Sequence, residues 1–96
     1  MPQFLLLADD HTDADALSRR MAVREQHLAR MRAERPKGNF ELGGAKLDAS
    51  GKMVGSMLVM NADNEQDAWE WINADPYVTG KVWDKITITP FRLAKV

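Results

Sequence analysis

Three side chains on one stretch of the chain have types and spacing that suit chemistry: Arg20, Arg24 and His27. Counting by the helical step from Leu17 puts Leu17, Met21, Leu28 and Met31 in one apolar row. Arg24 falls in the middle of that row, with Arg20 and His27 on its flank, each within a turn of it. An arginine in an apolar row is costly unless its guanidinium meets a carboxylate or an anionic ligand. The alternative is a side chain whose stem covers apolar surface while its head reaches water. For His27 the alternative is a flank histidine bonded to a backbone carbonyl.

Asp75 is the second candidate. It stands before Pro76, where the pattern puts the last turn of a helix and a carboxylate would oppose the macrodipole. The plain reading is a helix-ending Asp-Pro turn. A meeting of Asp75 with His27 would matter chemically. A carboxylate on one imidazole nitrogen fixes the tautomer and raises the basicity of the other, which makes a general base near neutral pH. Arg24 would complement it by holding an anionic substrate.

The remaining candidates are weaker. His11 lies among acids, but the ligand pattern of a hard-cation loop is absent, so it reads as a solvated loop residue. Gly43-Gly44 has neither the spacing nor the strand-to-helix context of a dinucleotide site. Ser18, Ser50 and Ser56 have no nucleophile-elbow context. Six methionines and three tryptophans suit the filling of a small core. Arg19, Arg30, Arg32 and Arg35 read as bases placed toward a helix C-terminus, with the acids of 9–15 at its start. No metal site and no cofactor are called for.

The elements that must position these residues follow from the pattern. Residues 3–8 form a short apolar run suited to a central buried strand, broken by Asp9-Asp10-His11. Thr12 or Asp13 is the expected cap of the long first helix, which Pro36 and Gly38 stop. Residues 39–42 alternate as a strand does. Gly43-Gly44 then marks a bulge or a close backbone approach, and residues 48–52 form a turn into a returning strand over 53–60. Asp63 and Gln66 have capping-box spacing ahead of a second helix with Ala68, Trp71 and Ile72 on its apolar face. Residues 77–80 are a turn, or at most one helical turn. The stretch 83–89 alternates, with Ile86 and Ile88 on one face, and Pro90 closes that strand or marks it as an edge.

The order βαββαβ is the split βαβ, or ferredoxin-like, arrangement of the α+β class: a four-stranded antiparallel sheet with two helices on one face. At 96 residues the expectation is one domain over 1–96. The other sheet face needs cover, so a homodimer is expected. The absence of cysteine excludes disulfides, thiolate metal sites and cysteine nucleophiles. The formal net charge of −1 argues against nucleic acid as a partner. The run 4–8 is too short to span a membrane and lacks the flanks of a signal peptide, so a cytoplasmic location is the default.

Arg20, the segment 24–31 with Arg-x-x-His-Leu, and Asp75-Pro76-Tyr77-Val78 through Thr89-Pro90-Phe91 resemble the YciI-like (YCII-related) proteins across essentially the whole chain. The resemblance implies a ferredoxin-like fold in a dimeric α+β barrel, and a pocket with a His–Asp pair, here His27 and Asp75, near Arg24. Arg20 and Tyr77 complete the substrate-binding set that follows. The implied activity is that of a small-molecule enzyme, with proton-transfer-driven elimination from a halogenated aromatic as the best-supported chemistry in the family. Two departures bear on the pocket mouth. Gly43-Gly44-Ala45 stands where the family usually has Gly-Pro, and the Asp9-Asp10-His11 loop looks longer than typical. The reading that results is a cofactor-independent lyase- or isomerase-like enzyme acting on an anionic or phenolic small molecule. A non-catalytic metabolite-binding module or an assembly protein is the alternative.

Overall fold

The computed structural model describes residues 1–96. The order is β1 (Gln3–Asp10), α1 (Ala16–Glu34), β2 (Phe40–Leu47), β3 (Met53–Asn61), α2 (Glu65–Asn73), α3 (Pro76–Thr79) and β4 (Trp83–Phe91). The strands form one antiparallel sheet in the order β2-β3-β1-β4, the expected ferredoxin-like arrangement. No helix is long and apolar enough to cross a membrane.

β1 is central, but it is longer than its apolar run and alternates in burial. Phe4, Leu6, Ala8 and Asp10 are buried, whereas Leu7 and Asp9 are exposed. The Asp9-Asp10 pair therefore belongs to the strand and not to a loop. Period 2 carries the inward face straight through to a carboxylate. The inward side chains of β1 and β3 meet Ala68 and Ile72 of α2, Met31 of α1 and Tyr77 of α3, which together form the core.

The ends of the elements have local causes. α1 starts at Asp15, whose side chain makes no cap; Asp13 instead accepts from the Asp15 amide and from both Arg19 guanidinium nitrogens. This corrects the expected cap at Thr12 or Asp13, and Arg19 has drawn the Asp13 carboxylate away from the helix start. α1 ends before Pro36, and Gly38 turns the chain at φ 82°. In the β2–β3 turn, Asp48 Oδ1 accepts from the Ser50 and Lys52 amides and the Ser50 hydroxyl. α2 is capped by Asn64, which accepts from the Asp67 amide at 2.8 Å, and not by the Asp63–Gln66 box. Residues 76–79 do make a single helical turn.

β2 runs on to Leu47, with register shifts at Phe40/Leu42 and Lys46/Leu47. Gly43 is the place of close approach: a Cβ there would lie 2.7 Å from the Met57 carbonyl oxygen and 2.5 Å from Leu58 Cδ2. A Cβ at Gly44 would meet nothing within 4 Å. β4 lies at the sheet edge, which is why Pro90 is tolerated inside it.

Candidate active site

The buried face of α1 differs from the apolar row in the sequence. Its buried residues are Ala16, Arg20, His27 and Met31, while Met21 is 51% exposed and Leu17 and Leu28 are only half-buried. Arg24 is half-buried on the flank, about 60° round the helix from His27 by the 100° step. The expectation of Arg24 inside the buried row is thus corrected: the arginine in the core is Arg20. Two polar residues occupy the centre of the inward face, so counting hydrophobic residues turns that face toward Leu17 and Met21.

Arg20 is 2% exposed and meets the condition that burial sets. Its Nη1 donates to both Asp10 oxygens at 2.9 and 3.0 Å, and its Nη2 donates to Ser56 Oγ at 2.9 Å. Ser56 also accepts from Trp83 Nε1 at 3.1 Å. The guanidinium carbon lies 4.7 Å from the centre of the Tyr77 ring. Arg20 therefore ties α1 to β1 and β3, and its charge is already balanced.

Asp75 lies beyond α2, whose C-cap is Ala74, and caps α3 with extended backbone. It is not in the last turn of α2, so the expected opposition to that helix's dipole does not arise. Its carboxylate is fully buried and accepts from three donors. These are the Tyr77 amide at 2.9 Å, His27 Nδ1 at 2.8 and 3.0 Å, and Arg30 Nη1 at 3.1 Å. His27 and Asp75, from α1 and the α2–α3 junction, thus meet directly. With Nδ1–H donated to the carboxylate, Nε2 of the neutral ring keeps its lone pair.

The His27 ring stacks on Tyr77 with centroids 4.0 Å apart and stands edge-on to Trp83 at 6.3 Å. Arg30, read from the sequence as ordinary helix electrostatics, is a support of this site. Besides holding Asp75, it donates to the Trp71 carbonyl at 2.5 Å and stacks over the Trp71 ring at 4.4 Å. Trp71 Nε1 in turn donates to Glu34 at 2.7 Å, and this bond holds the Glu34 carboxyl below its usual range. Arg30 stands three residues after His27, on the same face of the helix, and that spacing was the available signal.

A cavity of about 270 Å³ opens between α1 and β2. Arg20, Arg24, His27, Leu28 and Met31 line it from α1; Phe40 and the Gly43–Ala45 backbone line it from β2; Leu58 and Tyr77 contribute from beneath. Arg32 and Arg35 line it too, and no carboxylate does. Asp75 stays behind the imidazole. The five residues expected at a site, His27, Asp75, Arg24, Arg20 and Tyr77, are gathered here, four on the wall and one behind it. Asp10, Ser56 and Trp83 were not foreseen. His11 lies apart, half-exposed, with Nδ1 3.8 Å from Asp84.

Burial pushes the Tyr77 phenol up, against the opposing pull of the Arg20 and Arg24 charges. Its hydroxyl therefore stays a donor at neutral pH. Because the raised value belongs to the folded state, Tyr77 contributes stability that is complete below the ordinary phenol pKa, about 10, and is lost as pH rises through the native value. Tyr77 is the single tyrosine, so tyrosinate absorbance reports it alone. Its midpoint is expected above that of the chain unfolded in denaturant. A native midpoint at or below the unfolded one would contradict its placement.

Comparison with known proteins agrees with this architecture. The YCII-related domain model matches residues 3–92. Protein YciI of Escherichia coli O6:H1 (strain CFT073) is 27% identical over 95 residues, covering 93% of this chain and 95% of that one. Among solved structures, 5-chloro-2-hydroxyhydroquinone dehydrochlorinase from Burkholderia phenoliruptrix AC1100, in complex with 2,5-dihydroxybenzoquinone, superposes with a TM-score of 0.81 at 22% identity, covering 96% of this chain and 95% of that one. A dimeric ferredoxin-like protein from an uncultured marine organism superposes at 0.55 with 13% identity and full coverage of both chains. With a family match that runs almost from end to end, the chain belongs to the YCII-related domain family.

Proposed function

We propose that this chain is a small-molecule enzyme in which His27 moves a proton on an anionic or phenolic substrate and Asp75 orients it. The observation that carries the reading is the fully buried Asp75 carboxylate on His27 Nδ1 while the same imidazole lines the cavity. A carboxylate behind the ring stabilises the imidazolium that forms when Nε2 takes a proton. Arg24, which joins no ion pair, would hold the resulting phenolate or enolate. Arg20 and Tyr77 shape the wall beside it.

Two outcomes follow from one proton transfer. If the substrate carries a halogen, His27 returns the proton taken from a hydroxyl to the halogen-bearing ring carbon, giving the keto tautomer. Deprotonation of a second hydroxyl then pushes an electron pair through the ring and expels halide, leaving a quinone. If the substrate carries no halogen, the proton returns from His27 at another atom, which is isomerisation. Neither needs an oxidant. The likeness to a dehydrochlorinase with a hydroxylated quinone bound supports the first. The open face of the sheet, with Leu7, Leu42 and Phe91 exposed, is read as the seat of a second copy, in keeping with the dimeric relative.

The test is chloride release from a chlorinated hydroxyhydroquinone, with His27→Gln as control. Release by the parent chain and its loss in the variant are expected. Equal release from both would overturn the role of His27. Binding of the compound without any turnover would favour a binding module instead.

A further inference from the structure

Three arginines facing one cavity lack an acidic partner, and the proposed proton transfer uses only one of them. None of the ion pairs in the chain involves Arg24, Arg32 or Arg35. All three line the cavity beside His27, whose remaining wall holds no carboxylate. Macrodipole complementarity favours bases at this end of α1. It does not account for three unpaired guanidinium groups converging on one acid-free space over apolar side chains.

Their order along the helix is informative. Arg24 precedes His27 by three residues, whereas Arg32 and Arg35 follow it by five and eight. At about 1.5 Å per residue, Arg32 and Arg35 sit roughly 7 and 12 Å beyond His27 along the axis. Helical side chains lean toward the N-terminus, which brings these two guanidinium groups back over the cavity. Opposite α1, Phe40 and the Gly43–Ala45 backbone close the other side of the same cavity. The second cationic pair thus begins roughly 7 Å beyond His27 along the axis, about the length of a benzene ring with a hydroxyl and a carboxyl group on it.

We propose that the ligand is a hydroxylated aromatic carboxylic acid, with its hydroxyl at His27 and Arg24 and its carboxylate on Arg32 and Arg35. This rests on the reading of the cavity as an acid/base site and adds the substrate class. The ring lies on the apolar floor of Leu28, Met31, Phe40 and Leu58, and the carboxylate sits toward the exposed end of the groove. Arg32 and Arg35 are specificity residues here and take no part in proton transfer.

Isothermal titration calorimetry with 2,5-dihydroxybenzoate and with hydroquinone tests this directly. The parent chain should bind the carboxylate compound tighter by about tenfold or more, the scale of a charge-assisted hydrogen bond. In Arg32→Gln/Arg35→Gln, two exposed changes that leave the core untouched, that preference should vanish while hydroquinone affinity holds. Equal affinities in the parent chain, or a preference that survives the double change, would overturn the assignment and leave the acid/base reading standing. Failure of both compounds to bind the parent chain would sink the two together.

Discussion

Replacing His27 by glutamine is expected to lower turnover of a hydroxylated aromatic substrate by about 10²–10⁴-fold, the range for loss of a positioned general acid or base. Glutamine keeps a polar side chain of similar reach but has no group that accepts a proton near neutral pH. The fold should survive, because Asp75 keeps the Tyr77 amide and Arg30 as donors. Its near-ultraviolet circular dichroism should therefore stay close to the parent's, which separates a chemical loss from an unfolded site. If the variant keeps its fold and its turnover, the proton travels through another group.

The second large effect is on stability. Asp10→Ala should cost about 3–5 kcal/mol, because it leaves the Arg20 charge buried without its carboxylate. In a chain of this length that corresponds to a fall in Tm of roughly 15–30 °C. The ion pair itself is not the source of most of that cost. Removing both charges in Asp10→Ala/Arg20→Met should recover much of the loss, since the double variant buries no orphan. Thermal unfolding of the two variants distinguishes the cases. A single variant within about 1 kcal/mol of the parent would mean that Arg20 reaches water.

These two predictions draw on parts of the molecule that were unequally legible in the sequence. The element order and the hairpin around Asp48 follow from period and turn chemistry and stand as read, and of the two readings of Pro90 the structure takes the edge strand. His27, Asp75 and Arg24 were reached through their types and the resemblance. The inward face of α1 was misplaced, because its centre is polar and periodicity weighs only apolar residues. Asp10 looks like a loop residue for the same reason, although the Phe4-Leu6-Ala8 alternation leads straight to it. Arg30 reads as surface charge because its partner, Asp75, is 45 residues away, and its spacing from His27, the one local signal, does not name that partner. Burial of a charge is decided by what meets it in space, and that information enters only with the fold.

The central claim is that Asp75 holds the Nδ1–H of His27, so that Nε2 is free to take a proton in the cavity. Nitrogen-15 NMR of the imidazole side chain, recorded with the ring in its neutral form, tests it most directly. A protonated Nδ1 and a bare Nε2 are the predicted result. A ring protonated at Nε2 would put the lone pair against Asp75 and contradict the account.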